Sequence, residues 1–123
     1  MTDIESQIAF QIETSTEGPH EFVLSPSGEL DLYTAPELKS ELLRVAAEGA
    51  TRVVVDLGAT TFVDSTTLGV LLGAAKRLRL NGGDLVLVCA DRNIRRILEI
   101  TLLDRVFTIY ERLADALEAP SVG

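Results

Sequence analysis

Three consecutive β-branched residues, Val53-Val54-Val55, constrain this chain more than any other stretch of it. Successive side chains of a strand point to opposite faces, so a strand built only of valines must be covered on both. Such a run belongs inside a sheet with other elements packed above and below. Beyond it, Thr61-Phe62-Val63 leads into a cluster of side-chain oxygens, Asp64-Ser65-Thr66-Thr67, and then into a helix. Leu68, Leu71, Leu72, Ala75 and Leu78 recur at helical spacing, which turns one face to a core and leaves Lys76, Arg77 and Arg79 for water. Asp64 or Ser65 can cap this helix by accepting a hydrogen bond from an amide of the first turn. The hydroxyls of Ser65 and Thr66 then stand at the positive end of a helix dipole, a place that tolerates an anion.

The flanking sequence supplies the rest of an α/β pattern. Ile8, Phe10 and Ile12 alternate with polar or small neighbours, which predicts a strand over residues 7–14. The turn chemistry of Glu17-Gly18-Pro19-His20 leads to a second strand at Phe22-Val23-Leu24, so the two form an N-terminal hairpin. Ser25-Pro26-Ser27-Gly28 is expected to interrupt that strand. Thr34 is expected to cap a helix with Leu38, Leu42, Val45 and Ala46 on its core face, ended by Gly49. Asn81-Gly82-Gly83 stops the central helix, and a strand follows over residues 84–89. A short helix over 93–101, a last strand over 106–110 and a helix over 111–117 complete the pattern, with a frayed tail from Ala119 to Gly123. From Gly28 onward strand and helix alternate, which favours a mostly parallel sheet with crossover helices, about five or six strands and about four helices.

With 123 residues, 46% of them hydrophobic, the chain suffices for one core, expected over about 7–118, and is short for two domains. A net charge of −8 disfavours nucleic acid and anionic membranes as partners and suits a partner with a basic patch. No apolar run approaches a membrane span and the N-terminus lacks the pattern of a signal peptide, so a cytoplasmic location without membrane insertion is expected. Cys89 stands alone and reads as a small buried apolar residue.

Catalytic chemistry finds little support. A serine hydrolase needs a base beside its nucleophile, yet the single histidine, His20, falls in a turn far along the chain from Ser65. Neither a nucleophile elbow nor a glycine-rich phosphate loop is present. Asp31, Asp56 and Asp64 could gather at strand ends as a weak magnesium site, and Asp56 follows its strand as a phosphorylated aspartate does in receiver domains. The receiver reading lacks the acidic pair and the lysine it requires. The expectation is therefore a non-enzyme that uses no metal and no cofactor, with Ser65 at its centre.

Three stretches resemble the STAS-domain family of bacterial anti-sigma factor antagonists. Gly28-Glu29-Leu30-Asp31 with Thr34-Ala35 is similar to the family segment before its first helix. Val54-Val55-Asp56-Leu57 through Phe62-Val63-Asp64-Ser65 with Leu68-Gly69 is similar to the family signature. Gly82 to Val88 and Ile94 to Leu98 match the strand and helix that follow. The resemblance runs from about Ile8 to Leu117 and implies a STAS fold and a partner-switching regulator of transcription. It implies that Ser65 is phosphorylated by an anti-sigma factor with serine kinase activity and dephosphorylated by a serine phosphatase. The unmodified protein binds the anti-sigma factor and frees a sigma factor. Asp31 and Asp64 match acidic positions beside that site, and Asp31, Asp64, Ser65, Thr66, Thr67 and Leu68 are the expected partner contacts. Thr67 departs from the family glycine, adding bulk at a surface a kinase must approach. Slower modification, a shift to Thr66 and loss of modification are the open consequences. The alternative role in the same fold is a STAS subunit of a membrane lipid or anion transport complex, acting without phosphorylation.

Overall fold

A computed structural model describes residues 10–119. Its elements in order are β1 (Gln11–Gly18), β2 (Glu21–Leu30), α1 (Ala35–Ala47), β3 (Arg52–Asp56), β4 (Ala59–Val63), α2 (Ser65–Leu80), β5 (Asp84–Val88), α3 (Arg92–Ile100), a 3-10 turn (Leu103–Arg105), β6 (Ile109–Tyr110) and α4 (Leu113–Glu118). The six strands form one sheet in the order β1-β2-β3-β5-β6, with β4 paired to β2 beyond the end of β3. Only the β1–β2 hairpin is antiparallel; β2, β3, β4, β5 and β6 pair in parallel. The expected mixed sheet, largely parallel and entered through a hairpin, is the observed one. The start of the first expected strand, residues 7–9, and the end of the expected tail, 120–123, lie outside the described residues.

The valine run behaves as its composition requires. Val53 and Val55 join Phe22, Leu24, Leu85 and Leu87 in the main core under α1, α2 and α3, while Val54 faces the other way with Val23, Val86 and Val88 against Ala116 of α4. Leu38, Leu42 and Val45 of α1 and Leu68, Leu71, Ala75 and Leu78 of α2 fill the first side. Cys89 is fully buried there as well, and burial pushes its thiol pKa up.

Four expectations need correction. Ser25-Pro26-Ser27-Gly28 does not interrupt a strand, because β2 runs unbroken from Glu21 to Leu30. It pairs with β3 through Leu24 and with β4 from Ser27, so Pro26 falls in the gap between two parallel partners, and its carbonyl accepts from Thr60 Oγ1 at 2.9 Å. Gly28, with φ of 105°, then absorbs a register shift against β4. Strand β4 itself is absent from the expected order, since Ala59-Thr60-Thr61-Phe62-Val63 carries no clean alternation. Thr34 does not cap α1 through its side chain. Finally, the last strand shrinks to Ile109–Tyr110, as the chain before it closes a 3-10 turn entered through Leu102 at φ of 63°.

Three tertiary links tie this framework together. Arg52, almost wholly buried, pairs with Glu21 and donates to the carbonyl of Ala116 at 2.9 Å, fastening α4 to the sheet. Glu41 of α1 accepts from Thr14 of β1 and from Arg44, and these two donors hold its carboxyl at a pKa of about 2. A β-carbon on Gly83 would come within 2.1 Å of the Thr51 carbonyl, so only glycine allows β5 to start against the β3 approach. Within α2, Gly69 and Gly73 have no such contact, and each costs about 1 kcal/mol of helix stability relative to alanine.

Candidate functional site

The register of two neighbouring strands assembles the site. Leu30, the last residue of β2, is paired with Val63, the last of β4. The next residue on each chain is an aspartate, so Asp31 and Asp64 emerge side by side at the carboxyl edge of the sheet, where α/β folds present their binding residues. From the sequence alone these residues are thirty-three positions apart; strand pairing makes them neighbours.

Each aspartate organises its own turn. Asp31 Oδ1 accepts from the amides of Tyr33 and Thr34 at 2.9 and 3.1 Å. Thr34 Oγ1 donates to the Glu29 carbonyl at 2.6 Å and accepts from the Asp31 amide at 2.9 Å. Asp64 Oδ1 accepts from the Thr67 amide at 3.1 Å and is the N-cap of α2. Of the two capping candidates, Asp64 is therefore the one used. This leaves Ser65 and Thr66 as the first two helical residues, both exposed, with hydroxyls that form no hydrogen bond among the described residues.

Thr67 and Leu68 are the corrections at this site. Neither lies on a surface open to a partner. Thr67 is fully buried, and its Oγ1 donates to the Leu30 carbonyl at 2.8 Å while lying 3.3 Å from Asp64 Oδ1. The side chain whose bulk was expected at a surface a kinase must approach instead turns inward, and its hydroxyl bolts the first turn of α2 to the end of β2. Leu68 is 8% exposed and packs in the main core, as Leu71 does at 0%. The apolar residues that do face water around the site are Leu32, Tyr33 and Phe62, at 61%, 84% and 47% exposed. Sequence reading passed over them. The signal available was a pair of large apolar residues inside the turn after Asp31, where turn chemistry favours polar ones.

Asp56, the alternative acceptor, is half-buried and takes the Gly58 amide at 2.9 Å, closing the tight turn between β3 and β4. No group of three carboxylate, histidine or cysteine side chains able to hold a metal ion is assembled among the described residues. His20 is in the β1–β2 turn, where its carbonyl accepts from the Thr51 amide at 2.8 Å. No helix among the described residues is long and apolar enough to cross a membrane.

The family model of the STAS domain matches residues 11–116. An anti-sigma-B factor antagonist of Staphylococcus aureus is 34% identical over 100 residues, 81% of this chain and 92% of that protein. The chain belongs to the STAS-domain family of anti-sigma factor antagonists. A crystal structure of an anti-sigma factor antagonist from Mycobacterium paratuberculosis superposes on this STAS domain with a TM-score of 0.81 at 30% identity, covering 88% of this chain and 91% of the other. The Bacillus cell fate determinant SpoIIAA, solved in its phosphorylated form, shares the fold at a TM-score of 0.69 and 20% identity, covering 89% and 97%.

Proposed function

We propose that this STAS domain binds an anti-sigma factor that is a serine kinase, so that a sigma factor is released, and that phosphorylation of Ser65 by the same kinase ends the complex. A serine phosphatase restores the binding form. The observation that supports this reading is the division of labour at the start of α2: Asp64 caps the helix and Thr67 locks it to β2, while the exposed Ser65 hydroxyl does nothing for the fold. A hydroxyl without a structural duty, displayed on a rigid turn, is accessible to a kinase.

The physics of the switch is local. A phosphoserine carries about −1.5 to −2 charges at neutral pH. At a helix N-terminus, where the amides of Ser65 and Thr66 have no intrahelical acceptor, the group is favoured by about 0.3 to 2 kcal/mol, so this fold tolerates it. The partner does not. One added charge about 6 Å from an acidic group of the partner, at an effective dielectric of about 20, costs about 3 kcal/mol, on the order of a hundredfold in affinity.

The test is incubation with the cognate kinase and ATP, followed by mass-spectrometric mapping of phosphate, together with binding titrations of two variants. Phosphate at Ser65, a Ser65→Asp affinity lower by about a hundredfold and a Ser65→Ala variant that stays bound in the presence of ATP are expected. Phosphate at Thr66 or Asp56, or equal affinities of wild type and Ser65→Asp, would overturn the assignment.

A further inference from the structure

A groove runs between α1 and α2 from the phosphorylatable end of α2 to its last turn. It is lined by Lys39, Thr66, Gly69, Val70, Gly73 and Arg77 and encloses about 260 Å3. We propose that this groove seats an acidic helix of the kinase partner, giving the partner a second point of attachment beside Ser65; this rests on the reading of Ser65 given above.

Geometry is the first support. Thr66, Gly69, Val70, Gly73 and Arg77 follow one another at helical spacing on the same side of α2, over a length of about 16 Å, or three turns. With Lys39 of α1 as the opposite wall, the shape matches a helix laid along the furrow between two others.

The glycines are the second support. Among the described residues, a β-carbon on Gly69 or Gly73 would meet nothing within 4 Å beyond its chain neighbours and the nearby backbone of its own helix. Internal packing therefore gives no reason for two glycines inside a helix that they weaken. Close approach by a backbone outside this chain is such a reason, since a side chain at either position would raise the floor of the groove.

Charge decides the occupant. Lys39 and Arg77 are both exposed, and neither forms an ion pair among the described residues, in a chain of net charge −8. Two cations that form no ion pair among the described residues, flanking a shallow channel, complement carboxylates. The partner is thus expected to bring an acidic helix to the groove, and its carboxylates near the Thr66 end are the groups that a phosphate on Ser65 repels.

The probe is the purified kinase that phosphorylates the chain in the presence of ATP. Its affinity is measured by calorimetry for wild type, Gly73→Leu, the double variant Lys39→Glu/Arg77→Glu, and Ser65→Asp, at low and moderate salt. Gly73→Leu and the double reversal are each expected to weaken binding at least tenfold without lowering the melting temperature. The double reversal should also flatten the salt dependence. Binding of both groove variants within twofold of wild type, while Ser65→Asp weakens it, overturns the groove and leaves the switch standing. Loss of binding in Gly73→Leu with an unaffected double reversal overturns the acidic occupant in favour of an apolar one. Weakening by both groove variants with no effect of Ser65→Asp supports the groove and sinks the switch.

Discussion

Asp31 and Asp64 each end a parallel strand and open the path into a helix, yet the two turns dispose of their hydroxyl groups differently. In the turn before α1, Thr34 spends its hydroxyl on the Glu29 carbonyl and the Asp31 amide, and Asp31 Oδ1 accepts two amides, so the one hydroxyl at the head of this helix is tied into the turn. In the turn before α2, one carboxylate caps the helix and one buried hydroxyl, that of Thr67, locks it to β2. The remaining two, on Ser65 and Thr66, face water with nothing to hold. A fold leaves such groups unconstrained only where its own integrity does not depend on them. The first turn is scaffolding; the second combines scaffold with two hydroxyls available to chemistry.

That contrast can be broken by substitutions that separate the two duties. The largest stability effect is expected from Thr67→Val, which keeps the volume but leaves the buried Leu30 carbonyl without this donor, at about 1 to 3 kcal/mol in denaturant unfolding. A cost below about 0.5 kcal/mol would mean that the hydroxyl is not the bolt. Asp64→Ala should cost about 1 kcal/mol through loss of the cap. Asp31→Ala should cost no less, because the amides of Tyr33 and Thr34 both lose their side-chain acceptor. Ser65→Ala sharpens the contrast from the other side: its unfolding free energy should match wild type within about 0.5 kcal/mol, even as phosphate incorporation disappears.

A pH-dependent effect sits on the α1 side, at Glu41. Its carboxyl is held at a pKa of about 2, below the ordinary 4.5, by the hydrogen bonds from Arg44 and Thr14. A group with a depressed folded-state pKa contributes stability that is present above its unfolded value and is lost as pH falls through the folded one. Wild type should therefore exceed Glu41→Gln by at most about 1 kcal/mol at pH 7, given partial exposure. The gap should close between about pH 4.5 and 2. A gap that persists unchanged at pH 2 would show that the link acts through shape and not charge.

Much of this molecule could be read without coordinates, and particular residues show where reading stopped. The spacing of Leu38, Leu42 and Val45, and of Leu68, Leu71 and Leu78, carried the two helices because periodicity is a property of neighbours along the chain. β4 escaped notice because its residues are set by pairing with β2, and Thr60 is buried by a hydrogen bond to a carbonyl thirty-four positions away. Thr67 was misplaced on the surface for a related reason, and Leu68, rightly read on the core face, was wrongly counted as a partner contact as well. In a first helical turn, sequence gives the cap, but the direction of approach of the neighbouring strand decides which side chains are covered.

The order of strands and helices, the double-sided burial of Val53-Val54-Val55 and the presence of oxygens at the head of α2 are local matters, fixed by side-chain shape and alternation. What only the assembled molecule decided is which oxygens are spoken for. That Asp31 lies beside Asp64, that Thr67 turns inward and that Ser65 remains free all follow from Leu30 pairing with Val63. A contact between residues over thirty positions apart depends on the register of a sheet, and no local pattern encodes it.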